Sequence, residues 1–133
     1  MTPAPNKRKK TTITPAQLLE LGRIPPQATD LEESVLGGIM LDNSALSKVI
    51  DILKPEMFYK DAHQHIYKAI FGLFHDSEPA DILTVTQRLK KDGTLEIAGG
   101  AYYITQLTNR IASTANIEMH ARIVIEKFLQ REL

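Results

Sequence analysis

The sequence predicts an all-α fold: a compact bundle of about six helices, a small helical head followed by a C-terminal helical hairpin. Three observations carry this expectation. Apolar residues recur at helical spacing in one segment after another. No alternation of period two runs beyond a few residues, so strands are not expected. The breaks between segments are short and marked by proline, glycine or a capping residue, as in helical bundles. At 133 residues the chain suffices for one domain with a real core.

Residues 1–22 read as a flexible basic tail, interrupted by Pro3, Pro5 and Pro15 and carrying the run Lys7-Arg8-Lys9-Lys10. Within it, TPAQLLELG has the length for one or two helical turns ending at Gly22. The head is expected over residues 23–98. Thr29-Asp30-Leu31-Glu32 fits a capping box, and Leu31, Val35, Leu36 and Ile39 then follow helical spacing. Gly37-Gly38 lies inside that pattern, where it would let a neighbouring backbone approach. Asp42 or Asn43 is expected to cap a second helix through SALSKVIDIL, with Leu46, Val49, Ile50 and Leu53 on one face. Pro55 stops it, because the residue before a proline is pushed out of the α region.

Asp61 opens a third helix in which Ile66, Ile70 and Phe74 form a stripe widened by Tyr67 and Leu73. Thr84-Val85-Thr86-Gln87 fits another capping box, with Val85 and Leu89 facing inward and a stop at Asp92-Gly93. Two adjacent glycines, Gly99-Gly100, then separate the head from the hairpin expected over residues 99–133. Gly99 is expected as the turn and Gly100 at the next helix start. On the last helix Ile117, Ala121, Val124, Ile125 and Phe128 share a stripe of about 100°. Met119, Ile123 and Leu133 lie off it, and this second apolar face fits either the rest of the domain or a second subunit, with the unfinished last helix leaning towards the subunit. FLQREL shows no helix stop, so the chain reads as a domain of a longer protein.

Charge and composition narrow the function. The formal net charge is zero, but the KRKK run holds four of sixteen basic residues and no acidic residue precedes Glu20. From Thr11 onward twelve basic residues face sixteen acidic ones, a balance of −4 that opposes duplex DNA binding by the fold itself. With no cysteine, disulfides and thiolate metal sites are excluded. No apolar run approaches the ~20 residues that span a bilayer. The first residues lack the apolar segment of a secretory signal, and a cytoplasmic location is expected.

Motifs for chemistry are missing. A phosphate loop needs GxxxxGK[ST], and no glycine here is followed by lysine. A dinucleotide fingerprint lacks its third glycine and its preceding strand. His63, His65, His75-Asp76 and Asp81 loosely match metal-dependent helical phosphohydrolases. On a helix, however, His63 and His65 stand about 200° apart and cannot chelate one ion. Ser34, Ser44, Ser47, Ser77 and Ser113 sit in cap, turn or helix-surface contexts, with no nucleophile elbow. No catalytic, cofactor-binding or metal-binding residue is assigned.

One ordered series is specific. It runs through Arg23-Ile24-Pro25-Pro26, Glu32-Glu33-Ser34-Val35-Leu36-Gly37-Gly38, Leu41-Asp42, Phe58-Tyr59 and Ala62-His63-Gln64-His65-Ile66-Tyr67. It continues through Pro79-Ala80-Asp81-Ile82-Leu83-Thr84-Val85 and Gly93-Thr94-Leu95-Glu96-Ile97-Ala98-Gly99-Gly100-Ala101-Tyr102-Tyr103-Ile104. Ala115-Asn116-Ile117 and Ala121-Arg122-Ile123-Val124 complete it. In order and spacing it closely resembles the N-terminal domain of bacterial replicative DNA helicases of the DnaB family, over residues 23–133. The resemblance implies a non-catalytic domain that pairs between subunits into an N-terminal collar of a hexamer and receives primase. The ATP- and Mg-dependent motor domain would follow a linker. A helicase loader, and DNA through the hexamer, are further expected partners; a membrane is not.

On this reading Met119, Ile123 and Leu133 are expected at the subunit interface, and Asp30, Glu33, Tyr102 and Tyr103 as primase contacts. Tyr102 and Tyr103 are about 100° apart on a helix, so one of them should face the core. The tail before Arg23 is longer and more basic than the family pattern. The competing reading is a DNA-binding helical module that uses that tail or a helix–turn–helix pair.

Overall fold

A computed structural model describes residues 14–20, 24–111 and 113–133. Among the described residues six α-helices follow in order: α1 Pro15–Glu20, α2 Thr29–Leu41, α3 Asp61–His75, α4 Ile82–Lys91, α5 Gly100–Asn109 and α6 Ile117–Glu132. Two 3₁₀ turns, Asn43–Lys48 and Pro55–Met57, join α2 to α3. Among the described residues there is no strand, so the all-α class stands. The rest of the basic tail, including the KRKK run and Gly22, lies outside the described residues.

Helix α2 is the hub, with α3, α5, α6 and the first 3₁₀ turn all packed against it. Its second half is buried from Val35 to Met40. That burial requires Gly37, where a Cβ would collide with the backbone carbonyl of Leu107 on α5. Two helices approach this closely only where one presents no side chain. Helices α5 and α6, which fall within residues 99–133, both pack against α2. Ile104, Leu107, Ile117, Ala121 and Val124 share a single core with Val35, Ile39, Ile66 and Ile70.

Several local expectations shift. Helix α2 begins at Thr29 with Ala28 at the cap position and no side-chain cap, so the Thr29–Glu32 box is absent. The Gln27 side chain accepts the Thr29 amide, and Glu32 turns into the core. Asp42 does cap the next segment, accepting from the Ser44 amide at 3.1 Å. That segment is a 3₁₀ turn followed by looser turns rather than an α-helix. Leu46, Val49, Ile50 and Leu53 are buried all the same.

Phe74 leaves the α3 stripe and is 44% exposed at an open groove with Asn43, Leu46 and Pro79. Helix α4 starts two residues before the expected box at Thr84. Asp81 and Thr84 cap it reciprocally, with both bonds at 2.9 Å. A box that sequence reading overlooked opens α1: the Thr14 amide donates to Gln17 Oε1 and the Gln17 amide to Thr14 Oγ1.

Gly99 and Gly100 behave as expected. Gly99 caps α5 at φ 105° and Gly100 opens the helix at φ 86°. Left-handed backbone is strained for residues with a Cβ, and the Gly100 amide closes the turn on the Leu95 carbonyl at 2.9 Å.

The approach of α5 to α2 gives the first prediction. Gly37→Ala is expected to destabilise the domain by about 2 kcal/mol in urea unfolding, since backbone cannot retreat from an added methyl as a side chain can. Gly38→Ala meets only the Ile117 and Thr114 side-chain ends at 3.3 and 3.4 Å, so its loss should fall well short of that.

Candidate interaction surfaces

Where α2, α3 and α5 meet, polar side chains form a continuous chain from core to surface. Glu32 is 1% exposed, yet its carboxylate is well satisfied. It accepts from the Tyr59 amide at 2.6 Å, at the entrance to α3, and bonds His63 Nδ1 at 2.7 Å. His63 is fully buried, and its Nε2 lies 2.6 Å from the Tyr103 hydroxyl on α5. The carboxylate can only accept, so His63 Nδ1–H donates to it, and Nε2 pairs with the Tyr103 hydroxyl. That hydroxyl also reaches Glu33 at 3.3 Å, and Arg110 donates to the other Glu33 oxygen at 2.6 Å.

The imidazole stacks on the Tyr103 ring with centroids 6.0 Å apart and planes 4° from parallel. Burial, then the Glu33 charge, pushes the Tyr103 phenol up to about 12. Both His63 nitrogens thus serve protein partners. Among the described residues no three His, Asp or Glu side chains gather as a metal-holding group.

This arrangement decides the fate of the four residues expected at a partner surface. Tyr103 is the inward-facing tyrosine, and Tyr102, 75% exposed, is the outward one. Glu33 is half-buried and committed to Arg110 and Tyr103, whereas Asp30 is exposed. Asp30 and Glu33 share a small cleft with Ser34, Leu107, Arg110 and Ile111. Tyr102 does not line that cleft.

The second surface is the outer side of α6. Ile117, Ala121 and Val124 are buried, as the core stripe requires, while Ile125 and Phe128 are only half-buried. Met119 is 53% exposed, Ile123 half-buried and Leu133 fully exposed. These three do not form one row. Met119 and Ile123 make one apolar ridge at i, i+4, and Ile125, Leu129 and Leu133 make another at i, i+4, i+8.

The polar ridge of Arg122, Glu126 and Gln130 runs between them, and Arg122 pairs with Glu118 at 3.0 Å. The second ridge lines an open, largely apolar groove. Leu129, 56% exposed, escaped sequence reading, although its spacing from Leu133 was there to find. No helix among the described residues is long and apolar enough to cross a membrane.

Exposed apolar ridges on a helix whose inner side fills the core suit contact with another surface. The family described as the DnaB-like helicase N-terminal domain matches residues 24–126, and the chain belongs to that family. The replicative DNA helicase DnaB of Rhodothermus marinus is 47% identical over 112 residues, 84% of this chain and 12% of that protein. The Geobacillus stearothermophilus DnaB is 43% identical over 111 residues, 84% of this chain and 24% of that protein. The chain therefore spans a quarter or less of these relatives.

Among solved structures, the N-terminal domain of DnaB helicase from Mycobacterium tuberculosis superposes with a TM-score of 0.79. It is 43% identical, covering 83% of this chain and 76% of that one. A DnaB-like replicative helicase, described together with its interactions with primase, gives a TM-score of 0.71 at 28% identity. The match covers 79% of this chain and 25% of that one.

The two tyrosines give a paired prediction. Tyr103→Phe leaves His63 Nε2 buried without its hydrogen-bond partner and is expected to cost about 1–3 kcal/mol in urea unfolding. Tyr102→Ala, at an exposed site, should stay within about 0.5 kcal/mol. The raised Tyr103 pKa adds a pH dependence of known sign. The unfolded phenol ionises near 10 and the folded one near 12, so stability is intact below 10 and falls as pH rises towards 12. Tyr103→Phe should flatten that decline.

Proposed function

We propose that this domain is a non-catalytic assembly and docking module of a replicative DNA helicase, pairing with a second copy through α6 and receiving primase on the head. The observation that carries the reading is the outer side of α6, where Met119, Leu129 and Leu133 stand exposed on a helix whose inner side already fills the core. Exposed apolar ridges of this kind mark interfaces, and i±4 ridges are the surfaces by which helices interdigitate. Unwinding would belong to an ATP- and Mg-dependent motor domain elsewhere in the parent helicase, which would act in the cytoplasm at the replication fork. Assembly into a hexamer would bring DNA and a helicase loader to the particle. Family membership and the primase described with a structural neighbour support the docking part.

On the head, Asp30 and Tyr102 are the accessible members of the expected primase set. Glu33 and Tyr103 act behind them by fixing the α2–α5 contact. The KRKK run motivates a transient contact of the tail with DNA or a partner. Deleting residues 1–22 should then reduce salt-dependent DNA binding by the full helicase, and unchanged binding removes that contact.

Two measurements test the main reading. Mass in solution should rise with concentration for the parent domain, and Leu129→Glu should shift the midpoint at least about tenfold, the effect of burying an unpaired charge at a helix interface. A mass that stays monomeric into the millimolar range contradicts pairing. In titrations with the primase C-terminal domain, Asp30→Ala and Tyr102→Ala should weaken binding. No binding where the domain is fully paired contradicts docking.

A further inference from the structure

The last two turns of α6 are held differently from the rest of the helix. Val124 is its last buried residue, and Ile125 is the last one packed against the core. From Glu126 to Leu133 no residue is buried. Among the described residues, the hydrogen bonds tying this stretch to the head come from Arg131. Its Nη1 donates to the Pro26 carbonyl at 2.8 Å and its Nη2 to the Met57 carbonyl at 3.0 Å. The guanidinium also lies 5.2 Å from the Tyr59 ring centroid and 5.9 Å from that of Phe128.

The Met57 acceptor sits in a firmly bonded segment. The Met57 amide is bonded to the Lys54 carbonyl, and the Tyr59 amide is held by buried Glu32. Leu129 and Leu133 each stand two residues from Arg131, about 200° around the helix, so they face away from the head. Their exposure agrees.

We propose that Arg131 is a releasable latch that sets the orientation of the last two turns of α6 against the head. Engaged, its planar fork spans two carbonyls from chain segments about thirty residues apart, which a lysine point charge cannot reproduce. Released, the two carbonyls and the guanidinium exchange one another for water, and the arm bends beyond Ile125 without uncovering the core. An attachment made of buried leucines would expose more apolar surface on opening than this one, in which Phe128 is already half-exposed. The functional meaning rests on the reading that the outer ridges of α6 pair with a second copy. On that reading the latch sets the angle between the head and the paired helices.

The chain has no cysteine, so two spin labels can be placed without background changes. Leu83→Cys on α4 and Gln130→Cys on α6 are both exposed. Labelled protein diluted into excess unlabelled protein reports only distances within one chain. The parent is expected to give one narrow distance distribution. Arg131→Met, which keeps an apolar stem, should broaden it about twofold or add a second distance, with helicity by circular dichroism unchanged. Arg131→Lys should fall between them.

A parent-like distribution in Arg131→Met overturns the latch. So does a global loss of helicity in both variants, because Arg131 would then be a determinant of the whole fold. Pairing is read separately by mass against concentration. Failure to pair would remove the functional meaning and leave the distance result standing.

Discussion

The carboxylate of Glu32 is the contact on which the arrangement of this domain depends. A charge this deep is tolerated only when its hydrogen bonds are complete, since isolated burial costs several kcal/mol. Here the Tyr59 amide fixes the entrance to α3, and His63 carries the interaction through the core to Tyr103 on α5. One carboxylate on α2 thereby positions two other helices. The apolar core supplies cohesion without direction, whereas this polar chain has a single geometry that satisfies every member.

Both surfaces inherit their placement from that centre. Outward, the chain ends at Glu33 and Arg110, beside exposed Asp30. In the other direction, the Tyr59 whose amide Glu32 holds carries the guanidinium of Arg131, which fastens the end of α6. Gly37 serves the same end by steric means, since the α2–α5 approach that brings Tyr103 to His63 requires a residue without a side chain there. Close backbone packing and buried polar bonding are thus two parts of one junction.

Much of the fold was legible locally. The helical class, the break at Gly99-Gly100, the stop at Gly93 and the inward residues of α6 follow from spacing and backbone preference, whereas Pro55 opens a 3₁₀ turn instead of ending a helix. What escaped were interactions between residues distant in the chain. Glu32 fits a capping box by local rule, but its partners lie 27 and 31 residues away and draw it inward. Thr84 does belong to a cap, as the answering residue to Asp81 rather than as the first member.

The stripe from Leu46 to Leu53 is buried by a 3₁₀ turn and loops, because apolar spacing reports a face and not the helix type that presents it. At the surface, periodicity separated Met119 from the core face of α6 but not the ridge running from Ile125 through Leu129. Ile125 serves the core with one edge and the groove with the other. Seeing α5 and α6 share α2 likewise required the close approach at Gly37, which no local pattern specifies.

Glu32, His63 and Tyr103 are expected to act as one unit, so that side chains on α2 and α5 that do not touch are energetically joined through α3. A double-mutant cycle of Glu32→Gln and Tyr103→Phe in urea unfolding tests it most directly. The expected coupling energy is at least about 1 kcal/mol, the size found within one hydrogen-bonded network. Losses that add to within about 0.3 kcal/mol, as they do for independent sites, would contradict it.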